Sequence, residues 1–304
     1  MRNPLAALQD EAAPLDPALL AVALAREADH RFAAFLDGIE AYRDHPYRRN
    51  VPAPAAVWRE GATQLLFYKS PSQGRTGNRR LNSKTSVPIV VVPSLINKSY
   101  ILDLDTETSL LRFLSRQGHP TYLVDWGKPG PKELKFTLED YIAGRLHRSI
   151  EEVVAREGRP PVLLGYCMGG LLTLPISLLR PDLIVGMSLL ATPWDFHAEG
   201  ITRLGAFLKG FEAAIAGVGE LPIDLIQSMF FALDPLLVVR KFVRFGSLNP
   251  TSKQAYQFVA VEDWLNDGVA LAGPVAQTCL HDWYGSNAPA KRMATRILLS
   301  ILGK

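Results

Sequence analysis

The sequence predicts an α/β fold: a mostly parallel, doubly wound sheet, a helical cap inserted after a late strand, and no sign of the last core strands before the chain stops. Three observations predict it. Residues 87–92, 121–124 and 162–165 are short, charge-free runs rich in Val, Ile and Leu, which suits strands buried on both faces. Helix-like stretches separate these runs, and strand–helix alternation at this spacing implies right-handed βαβ units covered on both sides. After residue 193 the alternation stops, and mostly apolar helical stretches run to about residue 284.

The elements follow in order. Asp16 is placed as the N-cap and Pro17 as the first residue of a helix. Phe32, Phe35, Leu36 and Ile39 fall at i, i+3, i+4 and i+7 and carry an apolar stripe to about Tyr42. A polar linker follows. Residues 61–68 read as the first strand, and residues 70–86, rich in Ser, Gly, Arg and Asn, as an exposed turn. The strand at 87–92 precedes a helix at 110–117 closed by Gly118, and the strand at 121–124 leads into Asp125-Trp126-Gly127. A helix at 138–156, a strand at 162–165, a second helix and a strand at 184–190 ending in Ala191-Thr192-Pro193 complete the alternating part. The expected divisions are an N-terminal helical region (1–60), the core (61–193), the cap (194–285) and an atypical tail (286–304).

Composition removes several function classes. The 33 basic and 30 acidic residues nearly cancel, with no long basic block, so nucleic acid is not an expected partner. The two cysteines, Cys167 and Cys279, make neither a disulfide framework nor a metal cluster, and a reducing cytoplasm fits. No secretory signal is visible at the start. Residues 160–179 carry no charge, but their glycines and flanking prolines suit strand, turn and helix better than a membrane span.

Residues 163–170 read Leu-Leu-Gly-Tyr-Cys-Met-Gly-Gly. A buried strand that enters a glycine-bracketed nucleophile and then an apolar helix has the form of a nucleophile elbow, with Cys167 in the nucleophile position. The following helix directs N–H groups at the sulfur and is expected to favour thiolate. The Met168 N–H points to where an acyl oxyanion would develop, and a second donor is expected from the loop after the 87–92 strand, at Leu95. Cys279 has no such context and reads as cap packing. No metal site is expected.

These residues resemble the polyhydroxyalkanoate synthases, which carry cysteine in a lipase-like box. The resemblance runs from about residue 87 to 284. It rests on Pro93-Ser94-Leu95-Ile96-Asn97-Lys98-Ser99-Tyr100-Ile101-Leu102-Asp103, on Arg116-Gln117-Gly118-His119, on the box Gly165-Tyr166-Cys167-Met168-Gly169-Gly170, and on Glu262-Asp263-Trp264-Leu265-Asn266-Asp267-Gly268. The resemblance implies an α/β-hydrolase-like fold and an acyltransferase that loads 3-hydroxyacyl groups from CoA thioesters onto cysteine, with no cofactor beyond that substrate. It also implies a polyester granule surface as a partner, and a homo-oligomer or a partner subunit is compatible with it.

In that family a histidine and an aspartate complete the site on loops after strands that follow the cap. Residues 286–304 contain neither histidine nor acidic residues, so that part does not carry over, and the tail, basic and then apolar, suggests a truncated chain. His281 with Asp263, Asp267 or Asp282 would keep the order only loosely; these read as surface or cap residues, His119 as a turn residue and Asp125 as a structural carboxylate. Two other readings stay open: a cysteine hydrolase of the dienelactone type, and a non-catalytic granule-binding or partner subunit.

Overall fold

The computed structural model describes residues 8, 11–69, 86–198, 211 and 215–291, so the turn expected at 70–86 and the tail beyond 291 lie almost wholly outside the described residues. The elements begin with α1 (Pro17–Arg43), the strands β1 (Ala55–Glu60), β2 (Thr63–Tyr68) and β3 (Ile89–Val92), α2 (Leu110–Arg116) and β4 (Thr121–Asp125). A π-helical turn (Asp140–Leu146) runs into α3 (His147–Glu157), followed by β5 (Val162–Tyr166), α4 (Met168–Leu179) and β6 (Gly186–Leu190). Then come β7 (Glu220–Leu221), α5 (Ile223–Leu233), α6 (Leu237–Gly246), α7 (Lys253–Asn266), β8 (Leu271–Ala272), α8 (Gly273–Thr278) and a second π-helical turn (Cys279–Gly285).

Internal contacts divide the chain into two units, residues 1–47 with 234–259 and residues 48–233 with 260–304. In the first, the Asp16 carboxylate accepts the Ala18 and Leu19 N–H groups at 2.8 and 3.2 Å, the N-cap expected from Asp16-Pro17. Helix α6 crosses α1 at Gly38, where a Cβ would lie 2.1 Å from the Phe242 carbonyl oxygen. This approach rotates the buried face away from the expected stripe. Phe35 and Tyr42 meet the Phe242 ring edge-on at 6.2 and 5.6 Å, while Phe32 and Leu36 remain 61% and 48% exposed.

The second unit holds a six-stranded sheet in the order β1-β2-β4-β3-β5-β6. Strands β4, β3, β5 and β6 run parallel, as their continuous apolar composition requires. The hairpin β1–β2 was not expected: residues 55–60 read as linker, yet they pair antiparallel with β2, which in turn pairs antiparallel with β4. Gly61, at φ 58°, heads the two-residue turn between them, where a positive φ matches the twist of the paired strands. The hairpin is held by Arg145, 1% exposed, which pairs with Glu60 and reaches Glu133 at 3.1 Å.

Between β5 and α4 the packing reaches near contact of backbones. Gly165 in β5 lies so close to the helix that a Cβ would meet the Gly170 Cα at 2.5 Å, and the core continues through Val90, Val92, Leu163, Leu171 and Leu172. The charge-free stretch at 160–179 is thus strand, turn and helix. No helix among the described residues is long and apolar enough to cross a membrane.

Candidate active site

Strand β5 ends at Tyr166 and helix α4 begins at Met168, so Cys167 alone makes the turn. Its φ of 54° and ψ of −129° are strained for a residue with a Cβ, at a cost of about 1–3 kcal/mol that the surrounding packing must hold. Two hydrogen bonds fix it: its N–H donates to the Leu190 carbonyl at the end of β6 (2.9 Å), and its own carbonyl accepts the Gly170 N–H (3.0 Å). The remaining glycines of the box have separate steric causes. At Gly169 a Cβ would stand 2.0 Å from the Val92 carbonyl oxygen at the end of β3, and at Gly170 it would stand 1.9 Å from Thr192 Oγ1.

Cys167 is half-buried and opens onto a pocket of about 200 Å³. Walls come from Ile96 after β3, from Met168, from Ala191, Pro193 and Phe196 after β6, and from residues between Leu221 and Tyr284. They are almost wholly apolar. Ala191, beside the elbow, is also held at positive φ (49°), so two strained residues face one cavity. Cys279 is buried, as packing would have it, and lines the same pocket; burial pushes its thiol far up. The Cys167 thiol is pushed above its ordinary value as well, by burial first, with the Met168 N–H pulling it partly back. The thiolate expected from the helix N-terminus is therefore opposed by desolvation.

Of the two expected oxyanion donors, Met168 stands with its N–H at the Cys167 sulfur. Leu95 is buried under the loop after β3 while Ile96 reaches the pocket wall. The Ile96 N–H is taken by Ser94 Oγ at 3.3 Å, and Leu95 itself is not among the residues that line the pocket.

The two sequence stretches that carry the resemblance interlock. Lys98 pairs with Asp267 at 2.6 Å, the Tyr100 hydroxyl donates to the same carboxylate at 3.2 Å, and the Trp264 indole donates to the Lys98 carbonyl at 2.7 Å. Asn97 bridges to Gly268, and the Val269 N–H reaches the Ile96 carbonyl at 3.0 Å. These contacts hold Ile96, and with it one wall, in place. Asp103 serves the same loop from below: 1% exposed, it takes both Arg112 nitrogens at 2.7 and 3.0 Å and the Tyr68 hydroxyl at 3.2 Å.

The other singled-out residues stay away from the cavity. His281 and Asp282 are exposed and line no part of it, and Asp267 is committed to Lys98 and Tyr100. His119 sits before β4, its Nδ1 3.0 Å from the Val87 carbonyl oxygen, and Asp125 accepts the Ser99 hydroxyl at 3.3 Å. Among the described residues no histidine or carboxylate lines the pocket. Tyr284, which sequence spacing did not single out, does.

An alpha/beta hydrolase family model matches residues 89–300, and a model of the N-terminus of poly-beta-hydroxybutyrate polymerase (PhaC) matches residues 54–114. The chain is 31% identical over 240 residues to poly(3-hydroxyalkanoate) polymerase subunit PhaC of Haloferax mediterranei, covering 77% of this chain and 47% of that one. It is 30% identical over 266 residues to the subunit of the same name from Synechocystis sp., covering 84% and 68%. The chain spans about half the length of the Haloferax relative and of its Haloarcula marismortui counterpart, 47% and 49%. Among solved structures, a soluble variant of monoglyceride lipase from Saccharomyces cerevisiae aligns at 15% identity and TM-score 0.40, over 67% of this chain and 71% of that one. With the hydrolase model spanning residues 89–300 and the Synechocystis match reaching two thirds of its relative, the chain belongs to the alpha/beta hydrolase family and, within it, to the PhaC poly(3-hydroxyalkanoate) polymerase family.

Proposed function

We propose that this chain transfers 3-hydroxyacyl groups from CoA thioesters to Cys167 for polyhydroxyalkanoate synthesis. The observation that carries the reading is the strained elbow cysteine opening on an apolar pocket of about 200 Å³, beside the Met168 N–H. An acyl chain fills such a pocket, and the nucleotide end of CoA stays outside.

In the first step the Cys167 sulfur attacks the thioester carbonyl carbon, and the carbon–sulfur bond to CoA breaks. The proton lost by Cys167 ends on the CoA sulfur. One thioester replaces another, so loading is nearly balanced in free energy and the acyl group remains reactive, where a serine ester would be a deeper trap. The Met168 and Leu95 N–H groups hold the oxyanion between attack and expulsion. In the second step the 3-hydroxyl of another hydroxyacyl group attacks the acyl-cysteine. The new ester forms, the acyl–sulfur bond breaks, and the hydroxyl proton returns to the thiol.

The substrate is thus a 3-hydroxyacyl-CoA, and the product grows at a polyester granule surface in the cytoplasm. Free CoA release from 3-hydroxybutyryl-CoA tests the reading: Cys167→Ala is expected to lower it at least about 10³-fold, the order of loss typical for a removed nucleophile. Equal release by the alanine variant would sink it and leave a binding subunit.

A further inference from the structure

The proposed pocket has apolar walls, yet the acyl group assigned to it carries a hydroxyl. That hydroxyl loses water on entry and binds poorly unless a partner waits for it. Among the described lining residues Tyr284 supplies the only side-chain hydroxyl, and that hydroxyl makes no hydrogen bond to another described residue. Besides it the wall offers two thiols, thioethers and the Trp283 indole; of the oxygen and nitrogen groups, the tyrosine alone can both donate and accept.

The Tyr284 ring is held from the β6 side. Its backbone carbonyl accepts His197 Nε2–H at 2.8 Å, and the Phe196 ring meets it edge-on at 4.9 Å. One turn on, the Asn287 side chain accepts the Phe196 N–H at 2.9 Å and donates to Asp195 at 2.7 Å, while its backbone N–H returns to the Trp283 carbonyl at 3.0 Å. The loop after β6 and the 283–287 turn are thereby clasped together, so the hydroxyl is presented to the pocket from a fixed base. Burial, with the two thiols behind it, pushes the phenol up to about 12, so it stays a neutral donor at working pH.

We propose that the Tyr284 hydroxyl receives the 3-hydroxyl of the bound acyl group and makes this pocket selective for 3-hydroxyacyl over unsubstituted acyl thioesters. The proposal rests on the acyl-transfer reading for its ligand, but it concerns binding and is tested apart from turnover. A site built to hydrogen-bond a substrate hydroxyl rejects the analogue that lacks it, because its own polar group is then left unpaired.

The experiment compares dissociation constants of 3-hydroxybutyryl-CoA and butyryl-CoA for the full chain carrying Cys167→Ala, with and without Tyr284→Phe, by titration calorimetry. The hydroxylated thioester is expected to bind about tenfold tighter to the tyrosine protein, the worth of one net hydrogen bond. Tyr284→Phe should abolish that preference, weakening 3-hydroxybutyryl-CoA, whose hydroxyl then lacks a partner, without weakening butyryl-CoA. A ratio that ignores the substitution, an equal loss for both thioesters, or no binding of either would overturn the proposal. Cysteine-dependent CoA release without discrimination would overturn it and leave acyl transfer standing. Discrimination without CoA release would support it while removing the acyl-transfer reading.

Discussion

Gly169→Ala is expected to lower the melting temperature and to cut cysteine-dependent CoA release about 10²-fold, the scale on which a misplaced catalytic group loses rate. The added Cβ would stand 2.0 Å from the Val92 carbonyl oxygen and 2.7 Å from the Pro93 carbonyl oxygen, both backbone atoms that cannot swing aside. Helix α4 must then lift off the end of β3. That motion costs about 1–3 kcal/mol of packing, and it also carries Cys167 and the Met168 N–H away from Leu95, so stability and rate fall together. Gly186→Ala is the control, since a Cβ there meets only Val162 Cγ2 at an ordinary 3.8 Å. Thermal melts and CoA release on the two variants decide the matter: equal behaviour would mean that the elbow geometry does not set the rate.

The second large effect is on pH. The reactive species is the thiolate, and burial raises the Cys167 thiol above its ordinary 9.0. Below that value each unit of pH raises the thiolate fraction tenfold. For this chain on its own, the logarithm of the CoA-release rate should therefore climb with a slope near one from about pH 6.5 to 9, a gain of more than 10²-fold. A plateau already reached near pH 7 would contradict it. That result would mean an imidazolium or another cation is holding the sulfur as thiolate, in the manner of cysteine–histidine pairs.

What was legible in the sequence was what local chemistry decides. The run 162–170 had to be strand, corner and helix because its apolar residues need two-sided cover and its glycines permit close approach, and β5, Cys167 and α4 fall there. Asp16-Pro17 likewise opens α1. The failures are non-local. The Phe32–Leu36 stripe stayed partly exposed because the contact line on α1 is set by the Gly38 crossing, which depends on Phe242 two hundred residues away. Strand β1 carries Arg59 and Glu60, follows prolines, and becomes a strand only through its pairing with β2. Strands β7 and β8 are two residues each and join positions 220–221 to 271–272, beyond any local pattern. In the site, the elbow was local and visible. Tyr284 and Cys279 enter the pocket through tertiary packing, and the upward push on the Cys167 thiol comes from burial that no motif records.

Two thiols line one cavity, so the central claim reduces to which of them takes the acyl group. The most direct measurement is peptide mapping by mass spectrometry after incubation of the chain with 3-hydroxybutyryl-CoA at pH 8.5 and an acid quench. The elbow geometry predicts a 3-hydroxybutyryl thioester on the peptide that carries Cys167 and none on the peptide that carries Cys279. Label on Cys279, or on neither thiol while CoA is released, would contradict Cys167 as the nucleophile.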